Sequence, residues 1–457
     1  MKGFAPQNDW SAPVGSTKTR SYCRPTLRSV LFFLPTIPLA LLVVTFWPEA
    51  WYFAFYPPLV ILALIGADFS LTLPGRKLTA ELWVPGRLPV GRAEALELTL
   101  QSAKWPRPVS VEALLELDGE TEAPTLISGT LAEGRLQLKP TITPQRRGRV
   151  TLVAFWLRWR SPLKLIEIRR RVEVQQMVDV IPDLQGLYHE ALRFFAQDAA
   201  MGLKSQRLRG EGTEFDKLCD YAQGMDNRFI DWKRSARHHK LLCKEFRQER
   251  NHQIVLGFDT GHLMLEPVEG LSKLDHAIQA GLLLGWVSLY HGDLLGGCGF
   301  DGRFRNFIKP GRGLPYFAQF QRFTASLAYQ TEETNFTLGL AELNSRLQRR
   351  ALVVLFTEFV DTISAELLIE SLQLMVRRHL VVFVTLRDPL LTRLRSARPD
   401  SFARVAEAVL ADDFGRERSI VLERVARLGV HCLDVPVRGL NSELLNRYLL
   451  IKQRGLL

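Results

Sequence analysis

Between residues 29 and 67 the chain carries one charged residue, Glu49, and it stands in a Trp47-Pro48-Glu49-Ala50 break between two apolar runs, 30–47 and 50–67. A membrane helix needs about 17–25 largely apolar residues to cross the hydrocarbon layer, so each run reaches the short end of that range. Together they read as a transmembrane hairpin. A cleaved signal peptide has one apolar run and a small-residue cleavage site, whereas here a second run follows at once. Trp47, Trp51, Tyr52 and Tyr56 gather at the break, where an aromatic belt sits at a bilayer surface. Lys18, Arg20, Arg24 and Arg28 precede the first run, and Arg76, Lys77 and Arg87 follow the second. The bias of Lys and Arg toward the inner face then predicts two spans of the inner (cytoplasmic) membrane, with both termini cytoplasmic. Residues 1–28, rich in Ser, Thr, Pro and Gly, are expected to form a disordered cytosolic tail.

The remaining chain is long enough for more than one globular unit. Residues 75–182 hold short β-rich runs, 96–100, 109–117, 135–138, 150–159 and 172–181, separated by Pro and Gly turns, which predicts a small β-sandwich. Residues 183–252 form a segment that carries the densest motif of the chain, 214–237. From residue 253 to 457, buried-type strands at 253–259, 293–300, 351–356, 380–386 and 430–435 alternate with helical periodicity at 274–290, 367–378 and 402–428. The last helix is expected to break near Gly415. Such alternation predicts an α/β domain with a mainly parallel, doubly wound sheet. Its ligand crevice lies at the carboxyl ends of the strands, where Asp259, Thr357, Glu358 and Asp388 fall.

Charge and cysteine content narrow the chemistry. The 59 Lys and Arg against 48 Asp and Glu give +11, a charge that suits an anionic partner such as a lipid surface or a nucleic acid. Residues 204–250 mix 12 Lys and Arg with 8 Asp and Glu, the pattern of an ion-paired structure rather than a uniform basic patch, so no nucleic-acid partner is expected. Five scattered cysteines without a C-x-x-C pair suit reduced cytosolic thiols. His238, His239 and Cys243 lie close together but fall short of the four ligands of a structural zinc site. Gly297-Cys298-Gly299-Phe300-Asp301-Gly302 fits G-x-G-x-x-G, yet a second β-like run follows it, so Asp301-Gly302 is read as a two-residue hairpin turn. The signatures of a P-loop, a zinc protease and a serine-hydrolase elbow are missing from the sequence.

The densest motif runs from Gly210 through Glu214-Phe215-Asp216, then Cys219-Asp220-Tyr221, Gly224-Met225-Asp226 and Arg228-Phe229-Ile230-Asp231-Trp232-Lys233-Arg234-Ser235-Ala236-Arg237. One reading is a structural cap whose carboxylates fix arginines. The other is an anion or partner site on Arg228, Lys233 and Arg237. A rival of a different class is an envelope-associated hydrolase or nucleic-acid enzyme built on Glu214, Asp216, Asp226 and Asp231. Against that rival, no nucleophile–base pair is evident.

This motif resembles that of bacterial proteins carrying the domain of unknown function 58, DUF58, whose pattern is G-x-G-x-E-F-D followed by R-x-Y-x-x-G-D-D-x-R-x-I-D-W-K-x-S-A-R. Cys219 and Met225 depart from it. The resemblance continues through Leu386-Arg387-Asp388-Pro389 and the terminal Asn446-Arg447-Tyr448-Leu449-Leu450-Ile451-Lys452. It implies a C-terminal von Willebrand factor type A-like fold and a MoxR-type AAA+ ATPase as partner, with no enzyme activity expected. In metal-binding A domains a D-x-S-x-S loop, a loop threonine and a strand-end Asp hold a divalent ion. Here the loop is Asp259-Thr260-Gly261-His262-Leu263, Thr334 matches the loop threonine, and Glu358 stands at the strand end. Both serines are lost, so Asp259, Thr334 and Glu358 form at most a degenerate Mg²⁺ site, and no cofactor is expected. The expectation for the whole chain is a membrane-anchored, cytoplasm-facing interaction or scaffold protein.

Overall fold

A computed structural model describes residues 18–46, 48–102, 105, 107–118, 126–183, 186, 214–222, 227–247, 252–359, 362–396 and 401–457. The chain divides into two compact units, Met1–Ile181 and Pro182–Leu457.

In the first unit the apolar stretch forms helices Leu27–Phe33 and Thr36–Phe46, a 3₁₀ turn at Pro48–Phe55, and helix Tyr56–Ser70. The first run is interrupted at Leu34-Pro35, because Pro35 has no N–H to continue the ladder. The stretches Leu27–Phe46 and Trp51–Lys77 are long and apolar enough to cross a membrane, and their large side chains are exposed, Leu41 by 69%. A soluble core helix would bury such residues. Trp51, Tyr52 and Tyr56 are exposed at the break.

The rest of this unit is mainly antiparallel sheet. One sheet runs in the order Lys18–Pro25, Ile166–Ile181, Gly148–Arg160, Val109–Asp118, Ile127–Leu131, and a second joins Leu78–Trp83, Glu97–Ser102 and Arg135–Leu138. Alternation along the strands buries one row, such as Leu78, Ala80 and Leu82, as the pleat requires. Lys18–Pro25 corrects the expected disordered tail: it pairs antiparallel with residues 166–173 and is an ordered edge strand. Residues 1–17 lie outside the described residues.

In the second unit six strands form one sheet: β1 Gln253–Asp259, β2 Leu294–Phe300, β3 Phe304–Arg312, β4 Ala351–Phe356, β5 Leu380–Leu386 and β6 His431–Val435. Their order is β3-β2-β1-β4-β5-β6, parallel except for β3. Central strands of this kind are buried on both faces, which is why β4, Ala-Leu-Val-Val-Leu-Phe, is a continuous apolar run. On one face, Leu256 and Phe258 pack with helices α1 Lys273–Tyr290, α2 Phe317–Ala325 and, near the C-terminus, α7 Val437–Gln453. On the other, Val255 and Leu355 pack with α3 Phe336–Arg346, α4 Thr362–Val376 and the long α6 Phe402–Arg427, while α5 Pro389–Ser396 follows β5.

Two sequence expectations need correction here. Helix α6 continues through Gly415 without a break. The β2–β3 connection spans Asp301, Gly302 and Arg303, since Phe300 pairs with Phe304, so the hairpin loop has one residue more than expected.

Candidate functional site at the strand ends

Parallel strands β1 and β4 deliver Asp259 and the Thr357-Glu358 pair to one end of the sheet, with Asp301 just past β2. Asp259 is 1% exposed. Its Oδ1 accepts from the Thr334 hydroxyl at 2.6 Å and the Gly261 N–H at 2.8 Å, and its Oδ2 accepts from the Thr357 hydroxyl at 2.5 Å. Burial raises its pKa to about 6. The three donors pull the value down, and the Asp301 carboxylate nearby adds to the rise. Asp301, fully buried, is held by Arg305 Nε at 2.7 Å, by the Thr260 hydroxyl at 3.0 Å and by the Arg303 N–H at 3.0 Å.

Glu358 does not join Asp259, which corrects the expected ligand set of Asp259, Thr334 and Glu358. Successive residues beyond a strand point to opposite sides, so Thr357 faces Asp259 and Glu358 faces away. Its Oε1 accepts from Arg418 Nη1 at 2.7 Å and the Thr385 hydroxyl at 2.8 Å, and its Oε2 faces Lys273 Nζ at 3.5 Å. Arg418, carried by α6, also donates to Asp434 Oδ1 at 3.1 Å and to the Leu386 carbonyl at 3.2 Å. Glu358 and Asp434 raise the pKa of this guanidinium even though burial acts to lower it.

The loop after β1 is shaped for this closed arrangement. A Cβ on Gly261 would fall inside the Thr334 hydroxyl and against Asp259 Oδ1. A serine here would therefore displace the threonine that now binds Asp259. Asp259, Thr334 and Thr357 put oxygens together, with both hydroxyls donating to the carboxylate. Among the described residues no group of three or more His, Cys, Asp or Glu is placed to hold a metal ion. Thr357 is 2% exposed, and its hydroxyl proton is directed at the Asp259 carboxylate. His262 contributes only its backbone, donating its N–H to the Glu332 carbonyl.

The family motif forms a separate small structure. Strand Glu214–Asp220 pairs antiparallel with Leu242–Arg247, and a 3₁₀ turn Asn227–Phe229 leads into helix Trp232–His238. Asp231 caps that helix, its Oδ1 accepting from the Arg234 N–H at 3.1 Å, and it pairs with Lys244 at 3.5 Å. The cap and Lys244 hold the Asp231 carboxyl below the usual range. Ser235 Oγ accepts from the Leu242 N–H at 2.8 Å, Tyr221 donates its hydroxyl to Asn227 at 2.8 Å, and Ile230 bridges to Cys243. These residues brace the hairpin. Trp232, by contrast, is 67% exposed, and Arg228, Lys233, Ala236 and Arg237 also face solvent. Gly224 and Asp226 lie outside the described residues, as do the side chains of Glu214, Phe215 and Asp216. Of the four proposed hydrolase carboxylates only Asp231 has a described side chain, and it is a helix cap.

The other motif positions have structural work to do. Arg387 Nε donates to Asp434 Oδ2 at 3.2 Å, while Asp388 accepts from the Leu390 N–H at 2.7 Å, so Leu-Arg-Asp-Pro ends β5 and starts α5. Tyr448 and Lys452 on α7 both reach Asp293 Oδ2, at 2.6 and 2.7 Å. Sequence reasoning placed Thr357 at the strand ends but left it out of the ligand set, and it missed Arg418, Lys273, Asp301 and Asp293 as parts of these networks. Nothing local marks Arg418, which acts 60 residues away from Glu358.

Residues 218–397 match the family described as "Protein of unknown function DUF58", which bears out the resemblance drawn from the motif over that range. A comparison with curated proteins gives no match. Among solved structures, the crystal structure of conserved hypothetical protein BatB from Bacteroides thetaiotaomicron is 12% identical, covers 44% of this chain and 99% of its own, and has a TM-score of 0.30. The crystal structure of an uncharacterized membrane spanning protein from Vibrio fischeri is also 12% identical, covers 44% of this chain and 98% of its own, and has a TM-score of 0.16. At these scores neither neighbour bears on fold or function.

Proposed function

We propose that this chain, a DUF58 protein by its residues 218–397, is a membrane-anchored scaffold that faces the cytoplasm and holds a protein partner without turning over a substrate. The observation that carries this reading is the internal closure of the strand-end groups. Asp259 and Asp301 are held by hydroxyls, backbone or guanidinium groups of the same domain, and Glu358 is held at Oε1 by Arg418 and Thr385, while its buried Oε2 makes no hydrogen bond among the described residues and faces Lys273 Nζ at 3.5 Å. A catalytic carboxylate needs an open approach to a substrate, and these are at most 3% exposed. The strand order, with an antiparallel edge strand on a doubly wound sheet, supports the von Willebrand factor type A-like reading. The Asp259 crevice is then a degenerate metal site, with Mg²⁺ bound weakly or not at all.

The partner is proposed to be a MoxR-type AAA+ ATPase, the association that the DUF58 resemblance implies. Exposed Trp232, between the braced positions Asp231 and Ser235 and on the same short helix as the exposed Lys233 and Arg237, has the character of an interface anchor. Inner-membrane placement with both termini cytoplasmic is supported by the two exposed apolar helices and the basic flanks. The test is co-purification of the tagged full chain from native membranes. An AAA+ ATPase in the eluate, lost with Trp232→Ala/Arg237→Ala while folding persists, is the expected result. An eluate without an ATPase, or a hydrolytic activity that disappears with Asp231→Asn, would overturn the reading.

A further inference from the structure

The turn from Ser161 to Ile166 collects both ends of the apolar hairpin. Thr26, just before the first helix, donates its hydroxyl to the Lys164 carbonyl at 2.7 Å and its N–H to the Leu165 carbonyl at 2.9 Å. Asp68, in the last turn of the helix Tyr56–Ser70, accepts from the Leu163 N–H at 3.0 Å and the Leu165 N–H at 3.3 Å. Beside this junction lies a cleft of about 430 Å³, whose walls include Leu71 to Leu73, Trp105, Arg107, Glu112, Arg158, Trp159, Arg160 and Lys164. Four cations and one carboxylate therefore face one space, immediately after the end of an apolar helix.

The charges are unevenly matched. Glu112 is taken by Arg158, and Arg160 reaches Glu167 only at 3.6 Å, where Arg169 already pairs at 2.6 Å. Arg107 and Lys164 are exposed and have no ion-pair partner among the described residues. Lys164, one of the residues lining the cleft, also has φ of +60°, a conformation that glycine or asparagine takes more readily. Trp159 Nε1 donates to the Leu73 carbonyl at 3.0 Å and so ties the cleft wall to the helix exit.

Accepting the proposed membrane anchoring, on which this step rests, we infer that the cleft seats the phosphodiester headgroup of an anionic phospholipid. The chemistry recognised is a phosphate anion, which Arg binds through paired N–H groups and Lys as a point charge. The position favours the lipid over a free anion: Leu71 to Leu73 in the cleft wall directly follow the apolar helix Tyr56–Ser70, which in the proposed topology sets the cleft at headgroup level, where basic residues favour anionic lipid.

The test uses the full chain, reconstituted in vesicles of mixed phosphatidylethanolamine and phosphatidylglycerol, then released in mild detergent for native mass spectrometry. Wild type and the control Arg349→Gln/Arg350→Gln, in the other unit, are expected to retain phosphatidylglycerol in preference to phosphatidylethanolamine. Arg107→Gln/Lys164→Asn, both at exposed positions and with an asparagine suited to the left-handed turn, is expected to lose about tenfold of that retention. Excess inorganic phosphate is expected not to displace the lipid. Equal retention by the variant, no preference between the two lipids, or displacement by inorganic phosphate would each overturn the inference. Alkaline extraction of the same membranes separates the two levels: release of wild type refutes the anchor itself, whereas a firmly embedded protein without lipid preference refutes only the cleft.

Discussion

Replacing Arg418 with methionine probes the strand-end closure most directly, because this one side chain serves Glu358, Asp434, Thr385 and the Leu386 carbonyl together. Methionine keeps the apolar stem while removing every donor. Breaking a buried ion pair from one side costs about 3–5 kcal/mol, since the other charge stays buried. Glu358 is 3% exposed, but the Arg418 side chain is 21% exposed and Lys273 remains at 3.5 Å, which lowers the expectation to about 2–4 kcal/mol. For a domain of this size that corresponds to a Tm lower by roughly 4–16 °C. Urea titration of the full chain in detergent, followed by hydrogen-exchange mass spectrometry on peptides covering β1 and β4, reads this unit apart from the N-terminal one. Adding Glu358→Gln removes the stranded charge, so the double variant should recover about 1 kcal/mol or more relative to additivity. A loss below about 1 kcal/mol for Arg418→Met, or strict additivity in the double variant, refutes the claim that an internal guanidinium holds this crevice shut.

Four further outcomes follow from the same geometry. Asp259 has a folded pKa of about 6 against 3.8 unfolded, so the folded state binds its proton more tightly; the stabilisation this gives is complete below about pH 4 and is lost as pH rises through 6. Relative to Asp259→Asn, wild type should gain about 2 kcal/mol between pH 7 and pH 4 in urea titrations, and a pH-independent or reversed difference rejects the assignment. Asp231→Ala should cost about 0.5–2 kcal/mol as a lost helix cap, while exposed Trp232→Ala should stay within about 0.5 kcal/mol, both read from thermal melts; a large loss for Trp232→Ala would make it a structural residue. Tyr448→Phe, which leaves fully buried Asp293 with Lys452 alone, should cost about 1–3 kcal/mol and speed hydrogen exchange in α7. Reporter fusions at Ser11 and Ala80 should both give cytoplasmic signals, and a periplasmic signal from either contradicts the topology.

Legibility in the sequence followed the range of the forces involved. The apolar pair is visible because charge is absent from it, and the central strands are visible because two-sided burial demands unbroken runs such as the Val-Val-Leu-Phe of β4. Asp259 and Thr334 were legible from the family pattern, and their contact at 2.6 Å is real. Glu358 was misplaced by one residue: at a strand end that shift reverses the side-chain direction, and Thr357 fills the position instead. Gly415 looked like a helix break, yet it lies inside α6, where a Cβ would press on the Arg395 guanidinium. Lys18–Pro25 escaped notice because an edge strand with exposed side chains has no buried row to leave a periodic signature.

That edge strand also changes the grounds on which topology is argued. Charge bias alone predicts the side of each flank separately, and each prediction can fail separately. In the folded first unit, Lys18–Pro25 pairs along residues 166–173, Thr26 bonds the turn at Lys164 and Leu165, and Asp68 bonds the same turn from the other end of the hairpin. A span with its two ends on opposite sides of a bilayer would have to pull the strand from its partner and leave the Asp68 carboxylate, now fully buried, without its two backbone donors. Losing one buried charged hydrogen-bond network of this kind costs several kcal/mol, about the whole margin of a small domain. In the proposed topology the β-rich domain therefore fixes both ends to one side. The basic flanks need only choose which side that is, and the cations at the cleft beside the turn bias that choice in the same direction.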